Sequence, residues 1–215
     1  MSRTLTLGID TSTDVRVGLA DKGVVLAAGA VADNRAHAEQ LMPLVNATLA
    51  DAGRTLADIG SIVVGVGPGP FTGLRVGVVT AQTLAFALGV GVRGVCSLDA
   101  VAAGHRAEAA GEFLVVSDAR RREVYWARYA ADGRRVEGPF VAPASELPEL
   151  PVIGPGAALA GAAATPLDGG VLAMAGPGLG DAGLSPLYLR RPDAEVPTAR
   201  KSTLLQPRLA RGATR

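Results

Sequence analysis

Side chains able to bind or activate a ligand cluster at a few places in the chain. The densest is Val66-Gly-Pro-Gly-Pro-Phe-Thr-Gly-Leu-Arg-Val-Gly77, a glycine-rich loop of the kind that lets a backbone turn tightly and come close to a phosphate. Two phosphate-binding patterns can be tested on it. A P-loop needs Gly-Lys followed by Ser or Thr, but Gly73 is followed by Leu74-Arg75; a dinucleotide fingerprint beginning at Gly67 needs glycine where Pro70 stands. Both fail. Asp10-Thr11-Ser12 sets a carboxylate and two hydroxyls at the end of an apolar run, which makes the three of them weak candidates for holding a nucleotide phosphate. His37 lies two residues before Glu39, so an acid-base pair is one reading; packing or hydrogen bonding at a helix end is the other. Asp99 offers one oxygen ligand, and alternatively a first-turn helical carboxylate. The single cysteine, Cys96, excludes an internal disulfide and any CxxC cluster, and reads as a small buried apolar residue. The two histidines, His37 and His105, are 68 positions apart with no acidic cluster to complete a ligand set.

Periodicity outlines the strands and helices that carry these groups. Leu5 to Asp10, Val15 to Ala20 and Val24 to Val31 read as strands, with Asp21-Lys22-Gly23 as the turn of an antiparallel meander. Ala38, Leu41, Val45, Leu49 and Ala52 follow helical spacing, which predicts a helix from Arg35 to about Ala52; Pro43 should kink it or mark an altered first turn, and Gly53 should end it. Ser61 to Val66 is a continuous apolar run with β-branched residues, as in a strand covered on both faces. A long helix is predicted from about Phe71 to Leu88, ended by Gly89, then a buried strand Val90 to Val95 and a short helix to about Ala107 with Ser97 as its N-cap.

The second half begins as the first does. Phe113-Leu-Val-Val-Ser-Asp118 parallels Leu5-Thr-Leu-Gly-Ile-Asp10, and a strand, an Asp-containing turn at Ala131-Asp132-Gly133 and a third strand near Arg135 to Val141 follow it. The offset is 108 residues between the aspartates and 110 between the turn glycines, so the chain reads as two copies of one unit, the second shortened. Chance likeness of two meanders is the alternative. Duplication with an aspartate at the tip of each first strand suggests an α/β chain of the actin-like, sugar-kinase-like fold, with mixed sheets flanked by helices. Residues 1–108 and 109–192 would be its two subdomains, followed by a basic tail over 193–215. Beyond Pro143 the pattern is weak, with one short helix near Ala157 to Ala162.

Bulk properties narrow the function classes. At 215 residues, 48 % hydrophobic, 19 % charged and with a mean hydropathy of +0.29, the chain has apolar surface to bury in a core or against a partner. The uncharged stretch Val76 to Val92 contains Thr80, Gln82 and Thr83, too polar and too short for a comfortable membrane span, and Met1 to Thr4 lead directly into a strand. No membrane association and a cytosolic location are expected. The net charge is +1, and residues 187–215 carry seven Lys and Arg against Asp193 and Glu195. With 4 % aromatic residues, a stacking platform for bases is poorly supplied, so RNA contact is expected to be indirect.

The segment Val66 to Gly77, together with Gly8-Ile-Asp-Thr-Ser12 upstream and Ala36-His-Ala-Glu-Gln-Leu-Met-Pro43 between them, closely resembles the TsaB family; Pro186-Leu-Tyr-Leu-Arg190 also looks like that family's C-terminal strand. The resemblance implies an actin-like paralogue of TsaD, the transferase that completes threonylcarbamoyladenosine in tRNAs reading codons that begin with adenine. TsaD holds its metal with a His-x-x-x-His pair just after the strand matching Val90 to Val95. Here that stretch reads Cys96-Ser-Leu-Asp-Ala-Val101, with histidine at neither position, which argues against catalysis. The family further implies a scaffold with no catalytic residue and no metal of its own, which binds TsaD, helps recruit the ATPase TsaE and pairs with itself when TsaD is missing. No cofactor is expected to bind tightly, with ATP or ADP possible at the partner interface. The expected docking residues lie on the two helices: Ala38, Leu41, Met42, Val45 and Leu49 on the first, and Thr72, Gly73, Leu74, Gly77, Val78 and Ala81 on the second. The Gly73/Gly77 pair would admit a second helix, and a charge at Val78 or Leu41 should break the complex while leaving the monomer folded. The alternative is an autonomous metallohydrolase or kinase of the actin-like superfamily.

Overall fold

The computed structural model describes residues 3–32 and 37–190. β1 (Leu5–Asp10), β2 (Val15–Asp21) and β3 (Val24–Val31) form an antiparallel meander, and β4 (Ile59–Gly65) and β5 (Gly91–Val95) extend it in parallel, giving the order β3-β2-β1-β4-β5. β1 is buried along its whole length because both faces of the sheet are covered. On one face lie α1 (His37–Asp51) and α2 (Phe71–Leu88); on the other lies α4 (Gly169–Ala175).

The second unit repeats the first. β6 (Phe113–Asp118), β7 (Glu123–Tyr129) and β8 (Arg135–Pro143) form an antiparallel meander, and β9 (Val152–Ile153) adds in parallel, in the order β8-β7-β6-β9. The shared plan, three antiparallel strands and a parallel one beside the first, is the duplicated mixed α/β arrangement of the actin-like fold. The copy is shortened: β9 has two residues, and among the described residues no strand follows it in the sheet. α3 (Ser97–His105) joins the halves, packing Leu98 and Val101 into a cluster that includes Phe113, Val115 and Tyr129 of the second sheet and Leu172 of α4.

Several local expectations are changed by the structure. α1 runs unbroken through Pro43, and Cys96, not Ser97, is the N-cap of α3. The Ser97 hydroxyl is drawn instead to Asp10. Pro186 to Arg190 forms no strand; the segment is held by the Leu187 N–H, which donates to the Val66 carbonyl at 2.8 Å, and by the Arg190 side chain. Ala157–Ala160 is a 3-10 turn. α4 was hidden by its opening Gly169-Gly170, which lowers helix propensity. Tertiary contact overrides that: the Asp168 carboxylate caps it by accepting from the N–H of Gly170 at 2.6 Å and of Val171 at 3.1 Å. A Cβ on Gly18 of β2 would lie 2.1 Å from the Gly169 carbonyl carbon, so only glycine lets α4 sit this low on the sheet. α2 ends as predicted, with Gly89 at φ 65° and its N–H reaching the carbonyls of Ala85 and Phe86. Its 18 residues and hydropathy of 1.3 would suffice to cross a bilayer, but one face is packed on this sheet.

Candidate functional site: the signature loop and the two-helix face

β1 delivers Asp10 into the interior, where it is fully buried with Thr11, and the chain turns back beneath the start of α2. One Asp10 oxygen accepts from the Ser12 N–H at 2.8 Å and the Ser12 hydroxyl at 2.6 Å; the other accepts from the Ser97 hydroxyl at 2.5 Å. Ser97 in turn accepts from the Gly67 N–H at 3.1 Å, and its own N–H donates to the Gly67 carbonyl. The Thr11 hydroxyl donates to the Gly73 carbonyl at 2.7 Å. Burial pushes the Asp10 carboxyl above its ordinary range, against the lowering effect of the Ser12 and Ser97 hydrogen bonds.

The glycines of the signature make room for this loop. A Cβ on Gly77 would stand 2.3 Å from the Thr11 hydroxyl, and one on Gly65 would stand 1.7 Å from an Asp10 oxygen. Gly77 therefore seats the β1–β2 loop of the same chain, and Gly73 holds it through its carbonyl, where a second helix was expected. Thr11 and Ser12, read as phosphate ligands, direct their hydroxyls at Gly73 and Asp10.

The docking residues are also redistributed. Leu41, Val45, Leu49, Gly73, Leu74, Gly77, Val78 and Ala81 are buried within the chain itself; Met42 is half-buried, and only Ala38 and Thr72 are exposed. The apolar stripe of each helix is taken up by its own sheet, so it is not the free face. The outward face of α2 carries Val79, 57 % exposed, and Phe86, 91 % exposed, which lie with Thr72, Val76 and Thr83 on one line of helical spacing. That spacing was legible, but it gave no sign of which side of an all-round apolar helix the sheet would take.

Asp99 is the other correction. It is buried, not an exposed first-turn carboxylate: it accepts from the Tyr129 hydroxyl at 2.7 Å and lies 3.5 Å from the Arg135 guanidinium. Burial raises its pKa, and burial likewise lifts the Cys96 thiol beside it to about 12, the thiol of an inert core residue. His105 stacks edge-on against Phe113 and faces Glu108 at 3.5 Å. The His37 side chain and residues 191–215, including the predicted tail, lie outside the described residues. Among the described residues no three His, Cys, Asp or Glu side chains group as a metal site.

A family model described as TsaD, tRNA N6-adenosine threonylcarbamoyltransferase, matches residues 30–164. An uncharacterized protein of Mycobacterium tuberculosis is 46 % identical over 205 residues, covering 88 % of this chain and 93 % of that protein. The tRNA threonylcarbamoyladenosine biosynthesis protein TsaB of Escherichia coli is 39 % identical over 128 residues, 59 % of this chain and 55 % of that one. Among solved structures, YeaZ from Pseudomonas aeruginosa superposes with a TM-score of 0.70 at 27 % identity, covering 86 % of this chain and all of that one. With the signature loop, the duplicated sheets and these matches agreeing, the chain belongs to the TsaB family.

Proposed function

We propose that this chain serves the formation of threonylcarbamoyladenosine in tRNA as a non-catalytic scaffold, presenting the outward face of α1 and α2 to a TsaD-type paralogue. The observation that carries the reading is Phe86, 91 % exposed on the same helical line as the exposed Val79. A ring left in water on a rigid helix is unfavourable for a lone monomer and suits a helix-to-helix interface. A role in this modification is supported by the TsaB relatives. The inward-turned Thr11 and Ser12 hydroxyls favour a scaffold over an autonomous kinase, and any ATP or ADP would lodge at the partner interface, where the scaffold helps recruit a TsaE-type ATPase. The same face pairs with a second copy when the paralogue is absent.

Reconstitution tests this. Unmodified tRNA, threonylcarbamoyl-AMP synthase, TsaD-type and TsaE-type proteins should form the modified base at a high rate only when this chain is added, and the chain should co-purify with the TsaD-type protein. Equal modification without it, or transfer by the chain alone, would overturn the proposal.

A further inference from the structure

Between β6 and β7 the chain makes a turn with three consecutive arginines in the left-handed region: Arg120, Arg121 and Arg122 have φ of 66°, 54° and 63°. Glycine or asparagine would adopt this backbone at less cost, so arginine at all three positions is not explained by the turn. The turn is nonetheless held firmly. The Arg120 N–H donates to the Asp118 carboxylate at 2.6 Å, and the Glu123 N–H donates to the Arg120 carbonyl at 3.0 Å. From below, the Arg190 guanidinium donates to the Ala119 carbonyl at 2.5 Å and pairs with Glu123 at 2.7 Å. All three arginine side chains are exposed; among the described residues Arg120 pairs with Asp118 at 3.7 Å and Arg190 with Glu123 at 2.7 Å.

Ring contacts lead from the Arg190 segment toward the signature helix. Two residues before Arg190, the Tyr188 ring stacks on Phe71 with centroids 4.8 Å apart, and the Arg75 guanidinium covers Phe71 at 4.2 Å. The exposed Arg75 of α2 is thus linked through two stacked rings to the segment whose Arg190 supports the arginine turn. Neither the buried Asp10 loop nor the Val79/Phe86 face makes use of it.

We infer that the Arg120-Arg121-Arg122 turn docks on the phosphodiester backbone of RNA. Guanidinium forks match phosphate oxygens bidentately, and a turn fixed by Asp118 and Arg190 presents them without ordering a mobile loop. The choice of RNA over an acidic protein rests on the proposed function, which places a tRNA against this complex. The contact reads backbone, not bases.

The test uses the full chain, alone and in complex with a TsaD-type partner, titrated with fluorescently labelled unmodified tRNA over a range of salt. Asparagine tolerates the left-handed region, so the triple variant R120N/R121N/R122N removes charge while keeping the turn. It should bind tRNA at least about tenfold more weakly, with a salt slope flatter by about 2, given roughly 0.7–0.9 per phosphate contact. The triple lysine variant should keep most of the slope. Unchanged affinity and slope in the asparagine variant would overturn the inference, as would a turn that binds polyglutamate while leaving tRNA binding untouched. Co-purification is scored separately: failure to assemble counts against the proposed function, while the titration of the chain alone still decides this one.

Discussion

The Tyr129 hydroxyl of β7 donates to the Asp99 carboxylate of α3 at 2.7 Å, joining the two halves of the duplication through a buried hydrogen bond. Both groups sit in the cluster where α3, the second sheet and α4 meet. Tyr129→Phe keeps the ring and leaves Asp99 with Arg135 as its remaining partner, so it should cost about 1–3 kcal/mol in urea unfolding. A loss near zero would show that the bond contributes nothing to holding the halves together.

Gly77→Ala tests the seat of the signature loop. The added Cβ would meet the Thr11 hydroxyl at 2.3 Å, which the Gly73 carbonyl holds in place, so overpacking of about 1–3 kcal/mol is expected. Thr11→Ala removes the obstructing atom. In a double-mutant cycle the pair should be less destabilised than the sum of the singles, and strict additivity would mean the two do not meet.

The two faces of the long helix should respond oppositely to charge. Val78, 3 % exposed, and Leu41, 1 % exposed, lie in the core, so arginine at either should lower the melting temperature steeply or prevent folding. Val79→Arg and Phe86→Glu alter exposed positions and should leave the melting temperature nearly unchanged while abolishing co-purification with the TsaD-type partner. Retained co-purification in both outward variants would remove this face as the docking surface.

The sequence disclosed the meanders, the duplication and the helix ends because each has a local cause: alternation, an Asp-Lys-Gly turn, a glycine at a left-handed cap. What it concealed was long-range. Gly77 faces Thr11, 66 positions away, and Asp99 meets Tyr129 thirty positions on, so neither a close approach nor a buried carboxylate is marked by its neighbours in the chain. The glycines of the family motif suggested a second helix where the structure seats the β1–β2 loop. An apolar helix such as α2 gives no periodic sign of which side the sheet will claim, and Gly169-Gly170 masked a helix whose depth on the sheet depends on those glycines.

The buried carboxylates give the fold a pH dependence of definite sign. Burial holds both Asp10 and Asp99 above the ordinary carboxylate pKa of 3.8, so the folded state favours their protonated forms. Their contribution to stability is therefore fully present below about 3.8 and is lost as pH rises through the folded values, the reverse of a salt-bridged carboxylate. Asparagine at position 99 keeps an oxygen to accept from Tyr129 and cannot ionise. Asp99→Asn should thus lose less stability than the native chain between acid and neutral pH, read from urea midpoints across that range. If the two curves run parallel, Asp99 ionises in the fold as easily as in water and burial is not what governs it.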